Sequence, residues 1–204
     1  MTIPTDSGSA ANPREPRRNE VLHHVTALIG EHGIDGMTMR QVAHATGLST
    51  GTINYHFGNK RGLVLAALAS AGEAPEGAVV GGSPLTRLRR VLAGFVLDMP
   101  ERRARWQFWV EVAAQSARDE ELRRHERARH ATQRRHMENL IEEGISGDEI
   151  RADVNAAGAA ESLLALATGL AIQQLTTPDD MTVHRASDAL ESALRPIARP
   201  AATA

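Results

Sequence analysis

"MTMRQVAHATGLSTGTINYHFGNKRGLVLAAL", residues 37–68, decides how this chain is read. Thr38 followed three residues later by Gln41 forms a capping box that opens a short helix through Val42 to Thr46, and Gly47 is its expected stop. Ser49 can cap a second short helix running to about His56. Gly58-Asn59 then breaks the chain, and Asn59 can cap a longer helix from Lys60 to about Ala71. Ala43, Gly47, Leu48 and Ile53 take the inward positions of two short helices joined by a tight turn, which is the layout of a helix-turn-helix. The second helix of such a unit enters the major groove with its N-terminal part toward the bases. Thr50, Thr52, Asn54 and Tyr55 then lie on or near its exposed side. The same stretch holds the chain's only Tyr, its only Lys and one of its three Phe.

Outward from this segment the pattern stays helical. Apolar residues return at three- and four-residue intervals, and sustained period-2 alternation is missing, so the fold class is all-α with about nine helices. Val21, Leu22, Val25, Leu28 and Ile29 form one helical face that ends near His32-Gly33. Gly72 to Ser83, with four Gly and one Pro, reads as a loop. Ser83-Pro84 restarts a helix that should reach Asp98, Pro100 opens another to about Ala117, and Asp119 caps a long charged one to about Gly144. Asn155 to Thr176 and a last helix ending near Ile197 complete the set.

Composition narrows the function. The 204 residues are 42% hydrophobic and 24% charged, as in an ordinary globular protein, and the formal charge of −2 excludes a polycation. Residues 1–70 carry six Lys/Arg against five Asp/Glu, too small an excess to argue nucleic-acid binding by itself. Zero Cys removes disulfides, thiolate nucleophiles and Cys-ligated metals, and fits a reducing cytoplasm. Met1 to Pro16 lacks the apolar run of a signal peptide and reads as a disordered tail. The longest uncharged apolar stretch, Ser162 to Thr177, is too short and interrupted to span a bilayer, so no membrane partner is expected. No nucleophile elbow, P-loop, dinucleotide fingerprint or HExxH is found, which argues against an enzyme and a cofactor. His125, His130 and His136 are spaced by five and six residues, off one helical face, so no metal site is expected.

The segment 37–68 resembles the DNA-binding region of the TetR family of transcriptional repressors, through Thr38, Val42-Ala43, Gly47-Leu48-Ser49, Gly51-Thr52, His56-Phe57, Lys60 and Leu63 at the family's spacing. The resemblance implies that Thr38 meets phosphate and that Ser49, Thr50, Thr52, Asn54, Tyr55 and His56 form the DNA-facing side. Phe57 would fill the core, and Lys60 would grip a phosphate. Three positions depart from the pattern. Asn54 stands where an aromatic is common, and Asn can make bidentate contacts to adenine. Thr50 replaces a frequent basic residue, and Arg61 is basic where an acid is frequent, so phosphate contacts would shift toward Arg61.

The implied organisation is a tail (1–16), a helix-turn-helix domain (17–62) and a C-terminal effector-binding and dimerisation domain (63–204). "RWQFWVEVAAQSARDEELRR" (105–124) and "IRADVNAAGAAESLLALATGLAIQQL" (150–175) are similar to the subgroup that includes the choline-sensing repressor of glycine-betaine synthesis. Phe95, Met99, Trp106 and Trp109, with Glu111 nearby, are candidates for an effector pocket, although a purely structural aromatic core explains each residue at least as well. Leu163, Leu164, Ala167, Leu170 and Ala171, with Leu190, Ala193, Leu194 and Ile197, form faces wider than one partner helix needs, which predicts a two-fold four-helix dimer interface. The expected function is a ligand-responsive repressor of double-stranded operator DNA. The alternative is a DNA-binding or architectural regulator that acts through a protein partner without a ligand.

Overall fold

A computed structural model describes residues 14–73 and 81–200, with side chains from Arg18 onward except that of Glu73. Nine α-helices follow one another among the described residues: α1 (Arg14–Gly36), α2 (Met39–Thr46), α3 (Thr50–Phe57), α4 (Lys60–Glu73), α5 (Pro84–Ala93), α6 (Pro100–Ser116), α7 (Glu120–Ser146), α8 (Ala156–Thr176) and α9 (Val183–Leu194). An isolated antiparallel bridge, Ile150 to Ala198, ties the end of the chain to the α7–α8 connection. Helix α1 begins inside the expected tail, whose residues 1–13 lie outside the described ones, as do residues 74–80 of the expected loop.

The short helices are set by the caps that the sequence offers. Gln41 N donates to Thr38 Oγ1 at 3.2 Å while Thr38 N donates to Gln41 Oε1 at 2.7 Å. The turn after α2 is left-handed at Gly47 (φ 67°), a conformation that costs a side chain with a Cβ but not Gly. Val42 and Ile53 are fully buried, so α2 and α3 meet across an apolar contact. Helix α5 stops at Ala93, five residues short of the expected Asp98. The chain there tightens into i→i+3 turns, with Phe95 N donating to Leu92 O and Val96 N to Ala93 O. Arg102 reaches back from α6 to this end: its Nη1 donates to Ala93 O at 3.1 Å and to Asp98 Oδ1 at 2.7 Å.

Helix α1 is the strut that carries the N-terminal helices. It packs along α6 and α4, and its Gly30 sits so close to α6 that an added Cβ would lie 2.9 Å from Ala104 O and 3.2 Å from Phe108 N. Those are backbone atoms, which cannot rotate away. One residue turn later α1 breaks at Gly33 (φ 75°, ψ 165°), and its last turn restarts at Ile34. Gly30→Val should therefore lower the urea-unfolding free energy by about 1–3 kcal/mol through overpacking. An unchanged midpoint in a urea titration would show that α1 and α6 do not approach this closely.

Candidate nucleic-acid interface and effector domain

Helix α3 presents its polar side outward. Thr50, Asn54, Tyr55 and His56 are exposed, Tyr55 at 86%, while Ile53 is fully buried and Phe57 packs against the core. The Tyr55 and His56 rings meet edge to face, with centroids 5.3 Å apart. Thr52 is half-buried and Ser49 caps the helix: Ser49 Oγ accepts from Thr52 N at 3.0 Å and lies 2.9 Å from Thr52 Oγ1. Thr38 is likewise committed to the capping box of α2. An exposed basic residue on α2, Arg40, joins this surface; the family pattern leaves its position open, so nothing in the spacing singled it out.

Two cations expected at the DNA face are engaged elsewhere. Lys60 is half-buried and its Nζ donates to Asp35 O at 2.8 Å, capping the end of α1 with positive charge. Arg61 turns to the body of the protein. Its Nη2 donates to Asp119 Oδ1 at 2.8 Å and to Glu121 Oε2 at 2.9 Å, and its Nη1 also pairs with Asp119. Asp119 simultaneously caps α7, accepting from Glu121 N at 2.9 Å and Leu122 N at 3.1 Å. The Arg61 hydrogen bond, then the Leu122 N–H, holds the Asp119 carboxyl well below the usual carboxylate range. In this arrangement Arg61 joins α4 to α7 instead of offering its charge to phosphate.

The aromatic cluster of the C-terminal helices is real, but its composition differs from expectation. Phe95 and Trp106 are buried with ring centroids 5.2 Å apart, and Phe108 and Trp109 are buried at 5.0 Å. Met99 is 45% exposed at the start of α6, outside this cluster. Glu111 serves α1: its Oε1 accepts from Ile34 N at 2.9 Å, which satisfies a donor freed by the break at Gly33, and from Gln115 Nε2 at 3.0 Å. Its spacing from the Trp residues on α6 says nothing of this, because the partner is 77 residues away.

Two buried polar groups escaped the sequence reading. Gln174 on α8 accepts from Leu97 N at 2.9 Å and donates to Phe95 O at 3.1 Å, pinning the α5–α6 connection to α8. Glu126 on α7 is 7% exposed and is held bidentately by Arg129 at 2.9 Å to each oxygen, with His130 Nε2 at 3.4 Å. The run of charges around Glu126 looked like a solvated face, and its partners Arg129 and His130 lie on α7 itself, whereas Gln174 sits in an apolar stretch and bonds the α5–α6 connection. The indole N–H of Trp106 is buried without an acceptor among the described atoms.

The residues expected at a dimer interface fill the interior of one chain. Leu163, Leu164, Ala167, Leu170, Ala171, Leu190 and Leu194 are at most 5% exposed, and Ala193 and Ile197 are half-buried against the same core. Neighbouring helices α7, α6 and α9 already cover that face of α8. The face left open carries Leu166 at 36% and Ile172 at 38% exposure. Helix α8 is the one described helix long and apolar enough to cross a membrane by length and composition, and 33% of that window is buried.

A tri-helical head with a polar, aromatic-tipped second helix, mounted on a larger helical body, defines a helix-turn-helix DNA-binding regulator. Residues 22–67 match the tetR family of bacterial regulatory proteins, and residues 84–199 match the C-terminal domain of BetI-type transcriptional repressors. The chain belongs to this family of transcriptional regulators, which are not enzymes. It is 31% identical over 136 residues to the transcriptional regulator BetI of Burkholderia thailandensis, covering 64% of this chain and 68% of the relative. It is 35% identical over 106 residues to the repressor AcnR of Corynebacterium efficiens, spanning 52% of this chain and about half (54%) of that relative. Among solved structures, a TetR-family regulator from Rhodococcus sp. superimposes with a TM-score of 0.80 at 27% identity, covering 91% of this chain and all of the other. A regulator from Saccharomonospora viridis, solved in complex with choline, gives 0.78 at 25% identity over 92% of this chain and all of the other.

The buried Glu126 yields a pH signature. Burial pushes its pKa up, but hydrogen bonds from His130 and Arg129 outweigh it and lower the pKa from 4.5 to about 2. A carboxylate with a depressed folded-state pKa contributes stability above its unfolded value, and that contribution is lost as pH falls through the folded one. Unfolding free energy should therefore fall between pH 4.5 and about 2. Glu126→Gln should remove up to one proton of that slope, at most about 1.4 kcal/mol per pH unit, in urea titrations across the window. Identical slopes in wild type and variant would place the Glu126 carboxyl in water.

Proposed function

We propose that this protein is a homodimeric repressor that works in the cytoplasm. It binds a pseudo-palindromic operator in double-stranded DNA and leaves it when a small-molecule effector occupies the C-terminal domain. The observation that carries the DNA contact is the 86% exposure of Tyr55 in the middle of α3, flanked by exposed Thr50, Asn54 and His56. A large aromatic left in water on a helix whose opposite side is core is suited to methyl groups and base edges in a major groove. Arg40 on α2 and the N-terminus of α3 supply the phosphate contacts that fix register. The choline complex of the similar Saccharomonospora viridis regulator supports a small-molecule effector in the C-terminal body. The unpaired Trp106 N–H offers such an effector a donor.

The dimer surface is the open face of α8. Leu166, Gly169, Ile172 and Gln173 recur at helical spacing along it, and two copies related by a two-fold axis would cover the exposed Leu166 and Ile172. Two recognition helices then read half-sites about 34–36 Å apart, or a multiple of that. Effector binding acts by population shift, and needs to favour the arrangement in which the two α3 helices no longer match that spacing. A second reading, a regulator without a small-molecule effector, is favoured by one observation: Arg129 already lies over the face of Trp109.

Gel shifts on the DNA upstream of the protein's own gene test the operator reading. Tyr55→Ala and Asn54→Ala should each weaken specific binding by about 1–3 kcal/mol while sparing the non-specific level. Equal binding by wild type and both variants would remove α3 from the interface. Leu166→Arg combined with Ile172→Glu should convert the dimer to a monomer in sedimentation, with the circular-dichroism spectrum retained. A dimer surviving both substitutions would place the interface on another face.

A further inference from the structure

Trp109 on α6 is buried, and the guanidinium carbon of Arg129 on α7 lies 4.2 Å from its ring centroid. That is well inside the range at which a cation is attracted by an aromatic face. The same guanidinium donates through Nε and Nη2 to the two oxygens of Glu126, at 2.9 Å each, and through Nη1 to Gln133 Oε1 at 3.1 Å. Both the Arg129 and Glu126 side chains are 9% exposed. An aromatic wall, a buried carboxylate and an amide oxygen around one delocalised positive charge make up a binding site for a compact organic cation. Here the cation is supplied by the chain itself.

We propose that Arg129 is the built-in occupant of an organic-cation slot formed by Trp109, Glu126 and Gln133, and that it excludes free ammonium and guanidinium compounds from this slot. The effector of the proposed repressor is then recognised elsewhere in the C-terminal body or by other chemistry. Arg129 and Glu126 sit three residues apart on one helix, so their pairing is intramolecular and needs no translational entropy to form. A free cation meets only the small fraction of molecules in which Arg129 has withdrawn, and its apparent affinity is reduced by that fraction. Removing the guanidinium leaves the ring without its cation and the buried Glu126 carboxylate with only the His130 Nε2 contact at 3.4 Å, an ion that is costly to leave so poorly paired. A soluble cation of the right size satisfies it. Arg129 is thus a specificity-determining residue, and its presence decides whether this cluster is a core element or a ligand site.

The inference can fail without affecting the repressor reading, because its test involves no DNA. Trp106→Phe leaves Trp109 as the sole Trp, so its fluorescence reports the slot directly. In that background, ethylguanidinium and tetramethylammonium are titrated into the protein with Arg129 intact and into Arg129→Ala. Arg129→Lys serves as the second variant: it keeps a charge near Glu126 but withdraws the planar group from the ring, and so remains informative if the Ala variant does not fold. Saturable quenching at least about tenfold tighter in an Arg129 variant than with Arg129 intact, with a matching rise in the variant's melting temperature, is the expected result. Equal affinity with and without Arg129 would show that it excludes nothing. No saturable binding in any folded variant would show that the cluster is core packing only. Either outcome overturns the proposal.

Discussion

The crossing of α1 over α6 is the constraint on which the rest of the structure depends. The DNA-facing helices α2 and α3 are too short to hold a position alone, since isolated helices of their length are unstable in water. They are held by α1 and α4, and α1 is fixed to the body where Gly30 meets the α6 backbone. The break at Gly33 frees backbone donors at the end of this strut, and Glu111 of α6 takes the Ile34 N–H. Gln115, one turn on, donates to Asp35 Oδ2 at 3.2 Å. The same Asp35 offers its carbonyl to Lys60 at the start of α4. Three helices thus converge on one residue turn, and the direction in which α3 points is set there.

A second junction lies at the start of α4. Arg61 couples it to Asp119 and Glu121 at the start of α7. These groups are partly exposed, and ion pairs of that kind add little net stability. Their effect is on orientation, because a guanidinium shared by two carboxylates two residues apart at a helix start fits few geometries. Asp119 also caps α7, so a shift of the α7 N-terminus and a shift of α4 act on the same carboxylate. The head is therefore joined to the body at two places, α1 on α6 and α4 on α7, and each contact includes polar, directional bonds.

The helix-turn-helix was legible in the sequence because its determinants are local. Thr38 with Gln41, Gly47, and Ser49 with Thr52 act within three or four residues of one another, and the structure forms each as the spacing implies. The side-chain partners that the sequence did not reveal share the opposite property. Lys60, Arg61 and Glu111 looked like ligand-binding charges, and each is spent on a partner between 25 and 77 residues away. The apolar stripes of α8 and α9 were correctly seen as wide. Which part of that width faces a neighbouring helix in the same chain depends on packing that periodicity does not encode, and the deepest residues, Leu163, Leu164, Ala167, Leu170 and Ala171, went to the interior. Met99 lies apart from the buried aromatic cluster for a similar reason: it follows the turn that ended α5 early, so its side chain emerges at the start of α6.

The body carries its polarity in an unusual place. Arg129 and Glu126 are neighbours in a run of charges, RRHERARHATQRRH, whose composition suits a solvated face. The helical period of 3.6 residues carries positions 126, 129, 130 and 133 to one side of α7, and that side meets α6 at Trp109. Burying two charges there is tolerated because each satisfies the other, and because the ring and Gln133 take what remains of the guanidinium. A hydrophobic pair of the same volume would fill the space with less desolvation. An ion pair retained in its place fixes the register of α7 on α6 through directional bonds, which dispersion contacts between aliphatic side chains do not provide. The α6–α7 contact is therefore directional at Trp109, half a turn before Glu111, the residue through which α6 holds the end of α1.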